Sequence, residues 1–228
     1  MHKKTILALG GATLALAVAS PAALGAGTQV TVRVEGKTRT LLQTKSVHTH
    51  GGFITRGGAP SGACPATSGI GALDVATKHR WGGNYDSSFG LAVTSILGEA
   101  HTFSSNYFWE IFIDNKPASV GACGLSLRRG DSLVFAAVPT KGREDLTAIR
   151  APRSVVAGKP FSVKVVRFTP RGVAKPLAGA PVRLGKKSVL TNAHGVATVT
   201  ITGAGTVTLH SAPKGEVRPA PVTVRVTG

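Results

Sequence analysis

The sequence predicts a mainly β protein with one short helix, laid out as two small domains behind a leader peptide. Three observations predict this. Residues 107–114 set Tyr107, Trp109, Ile111 and Ile113 against Phe108, Glu110, Phe112 and Asp114, the two-residue period of a strand. Residues 146–228 hold several short alternating runs separated by turn residues, the spacing of an all-β sandwich. Between them the polar stretch PTKGRED, residues 139–145, marks a change of texture.

In chain order, His2-Lys3-Lys4 is basic, residues 6–19 are apolar, and residues 21–26 are small, with Leu24-Gly25-Ala26 as a cleavage triplet. Residues 1–26 therefore read as a secretory signal peptide, because the apolar run is shorter than the ~20 residues of a membrane span. The mature chain is expected to be exported, either secreted or held to the cell envelope without a covalent anchor.

Residues 27–139 form the first expected domain. Its opening strand puts Val30, Val32 and Val34 inward and Thr31, Arg33 and Glu35 outward, and Gly36-Lys37 turns into a second strand over 39–47. A Gly-rich loop, 51–62, leads to Cys64-Pro65. Thr67 or Ser68 caps a helix over 71–79, with Lys78, His79 and Arg80 at its C-terminal end and Gly82-Gly83 as its stop. A strand over 91–97 and a polar loop over 101–106 precede the aromatic strand. Phe108 and Phe112 make that strand's second face apolar too, which predicts a central position. Asp114-Asn115-Lys116-Pro117 supplies a tight turn, and Gly130-Asp131 launches Leu133-Val134-Phe135. The two cysteines, Cys64 and Cys123, are an even count in an exported chain, so a disulfide is expected over a thiol pair or a metal site.

After the linker, residues 140–145, the second domain spans 146–228. Alternation is clear at 161–165, 182–184, 197–201, 207–210 and 222–226, with turns at 157–160, 192–195, 203–205 and 213–215. The charge is uneven. From Leu146 onward there are 13 basic residues and one acid, Glu216, whereas residues 28–145 hold 12 basic residues and 9 acids. Lys164, Arg183 and Arg225 occupy outward strand positions and Lys186-Lys187 a turn, so these five are the candidate polyanion-binding residues. An anionic wall polymer or membrane surface is the expected partner. Nucleic acid is not expected, because the chain is exported and has no aromatic beyond Phe168 for stacking.

Two resemblances add to this reading. The aromatic strand 107–109, the turn Ile113-Asp114-Asn115-Lys116 and the segment Gly130-Asp131-Ser132-Leu133-Val134-Phe135 are similar to a secreted bacterial domain of unknown function. That domain is related to the C-terminal domain of transcobalamin. The strand over 28–36, Ala72-Leu73-Asp74-Val75-Ala76 and Ser87-Ser88-Phe89 fit the same pattern, over roughly residues 28–140. Asn115-Lys116 departs from it, standing where the family has Asn-Gly. The resemblance implies a β-grasp-like fold and no particular activity. It suggests a corrinoid or similar flat ligand, although the helical half that encloses cobalamin in those carriers is absent. Residues 176–184 (PLAGAPVRL) and 190–197 (LTNAHGVA) resemble bacterial immunoglobulin-like and carboxypeptidase-regulatory-like domains, which implies an immunoglobulin-like sandwich.

No enzyme site declares itself: nucleophile-elbow, phosphate-loop, HExxH and dinucleotide patterns are all missing. Glu99, Glu110 and Asp114 are the only mid-domain group among the scattered acids, and Glu110 and Asp114 would stand ~13 Å apart along one strand face, too far to act on one bond. His48 and His50 share a face of an extended segment but find no third ligand in register, so no metal or cofactor is expected. Among Trp81, Tyr85, Phe89, Phe103, Tyr107 and Trp109, core packing competes with a ligand face. Trp81, Tyr85, Tyr107 and Trp109 are the candidate ligand-binding residues, Trp109 leaning to the core. The expected function is a secreted, non-enzymatic envelope binding or interaction protein. The alternative is an extracellular small-molecule carrier.

Overall fold

The computed structural model describes residues 27–228 apart from Phe89 and Phe103. The expected signal peptide, residues 1–26, lies outside the described residues. The fold is mainly β with one short α-helix.

The N-terminal part contains β1 (Gln29–Glu35), β2 (Thr40–His48), α1 (Gly69–Thr77), β3 (Trp81–Asp86), β4 (Gly90–Ile96), β5 (Glu99–Ala100), β6 (Tyr107–Ile113), β7 (Lys116–Pro117) and β8 (Ser132–Pro139). Five of these strands form one sheet in the order β2-β1-β8-β6-β7, in which β1 and β8 run parallel and the other neighbours antiparallel. A second sheet, β3-β4-β5, and α1 cover one face of it. Their shared core joins Val30, Val32 and Val34 to Ile70, Leu73, Ile96 and Phe135, all essentially without solvent exposure. The alternation of β1 is thus used as expected on this face.

Helix α1 begins without a side-chain cap. Ser68 is the N-cap residue, but its hydroxyl donates to the Pro65 carbonyl. The helix's first N–H groups go instead to main chain from another segment: Gly69 N–H to the Leu125 carbonyl (3.0 Å) and Ile70 N–H to the Ala122 carbonyl (3.0 Å). Orphan donors at a helix start need partners, and backbone serves as well as a capping hydroxyl. The helix ends earlier than expected. Lys78 and His79 both adopt left-handed backbone (φ 54° and 63°) and turn the chain out. Gly82-Gly83, expected as the stop, lies in β3 at a register shift against β4. A Cβ at Gly83 would come 2.7 Å from the Ala92 carbonyl oxygen, so the glycine permits a close backbone approach.

The C-terminal part holds β9 (Thr147–Arg150), β10 (Ser154–Val156), β11 (Pro160–Phe168), β12 (Ala174–Pro176), β13 (Pro181–Leu184), β14 (Lys187–Leu190), β15 (Val196–Thr200), β16 (Gly205–Leu209) and β17 (Val222–Thr227). One sheet is β12-β11-β15 with β9 on β11, and the other is β10-β17-β16. The β13–β14 hairpin joins the second sheet through the reciprocal backbone bonds of Arg183 and His210. Val163, Val165, Ala197 and Val199 from one layer meet Val182, Leu209, Val224 and Val226 from the other, a sandwich core built from alternate residues. Of the turn glycines read from the sequence, Gly158, Gly195, Gly205 and Gly215 have positive φ and Gly203 does not.

The junction between the two parts is not sparsely contacted. Phe112, Val134, Ala136 and Val138 from β6 and β8 form a third apolar cluster with Leu146, Val166, Phe168 and Val217. This bears on two readings of the N-terminal sheet. β6 is an interior strand, with β8 on one side and the two-residue β7 on the other, while β8 takes the middle place. The second face of β6 is apolar because the sandwich packs on it. Likewise Arg33 and Glu35, expected outward, are 6 % and 2 % exposed. Their face is covered from the C-terminal part by Arg218.

Candidate functional site

Glu35 is the centre of a buried ionic network across the junction. Its carboxylate pairs with Arg33 (2.5 Å) and Arg218 (3.1 Å) and accepts the Thr40 hydroxyl (2.9 Å). Arg33 also donates to the Arg218 carbonyl (2.7 Å), and Arg218 donates to the Gly36 and Lys37 carbonyls. Burial holds Arg33 below its ordinary pKa, against the opposing pull of Glu35. Three further carboxyls near this junction, Glu110, Glu144 and Glu216, are raised above the ordinary value, each chiefly by desolvation.

The four aromatic candidates do not form one exposed face. Trp81 and Trp109 are 5 % and 6 % exposed and belong to the core, while Tyr85 and Tyr107 are partly buried at its margin. Trp81 and Tyr85 lie on β3 itself, and the packing of that sheet on the first one buries Trp81 and Trp109 in a single core. The Trp81 indole N–H donates to Asp74 (2.7 Å), a buried carboxylate that also meets His79 Nδ1 (2.6 Å). Tyr107 lies beside His101 (ring centroids 5.7 Å) and under the Lys37 ammonium (4.6 Å). His101 in turn bonds Glu99 (2.7 Å). Glu110 is on β6 and Asp114 in the following turn, where its carboxylate accepts the Ser132 N–H. His50 Nδ1 lies 2.9 Å from the Gly51 carbonyl oxygen. Among the described residues no group of three or more His, Cys, Asp or Glu is placed to hold a metal.

Cys64 and Cys123 form a disulfide, with Cα atoms 4.6 Å apart. It lies beside the carbonyls that cap α1, so one crosslink fixes both the loop before the helix and the loop after β7.

All five basic candidates are exposed: Lys164, Arg183, Lys186, Lys187 and Arg225. They occupy two surfaces. Arg183 and Arg225 flank β16, at its His210 end and opposite Thr206, with Lys186 and Lys187 at the adjoining hairpin. Lys164 lies on the other sheet, directly opposite Arg150 in the β9–β11 ladder. None of these six side chains has an ion-pair partner among the described residues. The one acid of the region, Glu216, is spent at the junction on Arg167 and the Asp145 N–H.

Residues 72–138 match a domain of unknown function, DUF4430. The match covers under a third of the chain and runs from α1 through β8. It includes Asp74, Trp81, Trp109 and Cys123 and leaves out β1, β2 and the whole sandwich. No curated protein matches the chain. Among the described residues no helix is long and apolar enough to cross a membrane.

Proposed function

We propose that this is an exported, non-enzymatic protein of the cell envelope whose C-terminal sandwich binds an anionic polymer or membrane surface. One observation carries the reading: Lys164 and Arg150 stand side by side in a ladder with no acid to separate them. Like charges directly opposite each other destabilise a sheet, and a polyanion across the pair removes that cost. The surface bearing Arg183, Arg225, Lys186 and Lys187 adds four more exposed cations. In this reading residues 1–26 direct export. The finer fold assignments belong to the same proposal: a β-grasp-like, transcobalamin-related N-terminal domain and an immunoglobulin-like sandwich. One helix against a mixed sheet supports the first, and two facing sheets of short strands support the second.

The test is retention of the full chain on isolated anionic wall polymer and on anionic vesicles. Retention is expected to fall steeply as salt rises, since screening acts within ~8 Å at physiological ionic strength. Charge reversal at Lys164 with Arg150, or at Lys186 with Lys187, is expected to weaken retention while the circular dichroism spectrum stays unchanged. Reversal at Arg128 with Arg129, exposed on the N-terminal part, is the control. Equal loss from the control pair, or retention indifferent to salt, would reduce the basic excess to a solubility feature.

A further inference from the structure

We propose that Arg39 and Arg80 form a site for one anionic group, a phosphoryl or carboxylate group, in a cleft of the N-terminal part. The cleft has a volume of about 320 Å³ and is lined by Arg39, Thr40, Leu41, Arg80 and Leu97. It opens between the start of β2 and the β4–β5 turn. This volume is at the low end for small-molecule sites, ~300 Å³, and admits an anionic group with a short carrier.

The two arginines line the cleft from distant parts of the chain. Arg39 precedes β2, and Arg80 follows the left-handed pair Lys78–His79 that ends α1. A helix C-terminus accounts for a cation near position 80. It does not account for a second arginine lining the same cleft from the β1–β2 connection. Neither arginine has an ion-pair partner among the described residues.

The nearby carboxylates are committed elsewhere. Glu35 is held by Arg33, Arg218 and Thr40. Glu99 is held by His101 and by the Lys37 N–H (2.6 Å). The cleft therefore combines two uncompensated positive charges with apolar flanks from Leu41 and Leu97. Planar guanidinium forks match the paired oxygens of carboxylate and phosphoryl groups, and two of them facing one anion exchange mutual repulsion for charge-assisted hydrogen bonds.

The frame around the cleft is fixed rather than loose. Leu97 has φ 51° and Gly98 φ 90°, the tight turn that joins β4 to β5. A bulky residue in that backbone region is strained; here its N–H is tied to the Arg80 carbonyl (2.8 Å) and its side chain packs on the core. The same bond sets the backbone of Arg80 against the turn.

The site is separate from the sandwich surfaces, so it stands or falls independently of the polyanion reading. The experiment uses the full chain, isotope-labelled, titrated with inorganic phosphate and, in a second arm, with acetate. Saturable shifts are expected at the amides of Thr40, Leu41, Arg80 and Leu97. Arg39→Ala and Arg80→Ala are each expected to weaken binding about tenfold, the scale of one lost hydrogen bond to a charged group. Arg128→Ala with Arg129→Ala removes two charges elsewhere and is expected to leave the affinity unchanged. Tighter binding of phosphate identifies a phosphoryl ligand, and tighter binding of acetate a carboxylate. Shifts that never saturate, shifts spread evenly over basic surfaces, or affinities unaffected by Arg39→Ala and Arg80→Ala would overturn the proposal.

Discussion

Removing Glu35 is expected to cost far more than its single charge suggests, because it sits between two arginines. The carboxylate is 2 % exposed and pairs with both Arg33 and Arg218. Glu35→Ala would leave Arg33 buried and unpaired, in a site that already depresses its pKa by desolvation. Breaking a buried ion pair from one side costs ~3–5 kcal/mol, and this variant is expected in that range. Arg218→Ala is milder, because Glu35 keeps Arg33 and Thr40. It loses one pair at 3.1 Å and the bonds to the Gly36 and Lys37 carbonyls, so roughly half that cost, ~2 kcal/mol, is expected. The assay is urea unfolding followed by fluorescence of Trp81 and Trp109, both in the N-terminal core, and in parallel by circular dichroism of the whole chain. In the double variant Glu35→Ala/Arg218→Ala the costs should fall short of additive, since each change removes part of what the other breaks. An Arg218→Ala chain as stable as the parent within ~0.5 kcal/mol, the usual spread for surface changes, would refute the argument. So would fully additive costs.

Cys123→Ser opens a loop of 59 residues in sequence separation. It is expected to lower stability by ~4 kcal/mol on the loop-entropy relation, read as a lower urea midpoint, and mass spectrometry of oxidised material showing two free thiols would contradict the crosslink itself. Phe168→Ala removes a large side chain from the junction cluster and is expected to cost ~3–5 kcal/mol; a chain beginning at Leu146 would expose the same cluster, and its circular dichroism tests whether the sandwich holds alone. Burial holds the Glu110 carboxyl above the ordinary 4.5, so the folded chain binds that proton more tightly than the unfolded chain. Its contribution to stability is therefore present below ~4.5 and lost as pH rises through the folded value. Glu110→Gln is expected to raise the urea midpoint at neutral pH and to give no gain near pH 4; a gain equal at both would refute the desolvation account.

Much of the fold was legible because period and turn chemistry are local. The alternation at 107–114 is β6, and the runs at 161–165, 197–201 and 222–226 lie within or overlap β11, β15 and β17. Asp114 and Asn115 both take positive φ, as a tight turn needs. The short strands β9, β10, β12 and β14 escaped, being too brief to show a period. β3 escaped because its two glycines read as a helix stop. Of the candidate site residues, the exposure of Lys164, Arg183 and Arg225 could be inferred from strand parity, and that of Lys186 and Lys187 from their expected place in a turn.

What the sequence by itself determined is strand identity, turn position, the even cysteine pair and the concentration of positive charge after Leu146. What the tertiary structure alone decided is which faces are covered. Phe108, Phe112, Arg33 and Glu35 look like an outward face with odd apolar insertions until Arg218 and Phe168 are brought against it from far along the chain. Trp109 could have been exposed until the β3-β4-β5 sheet, which itself carries Trp81, packed on the first sheet and buried both. Arg39 and Arg80 share a cleft only because the β4–β5 turn binds the Arg80 backbone. The physical reason is common to all three. Burial and charge pairing depend on what a distant segment places opposite a residue, and a period of two along one strand carries no record of that partner.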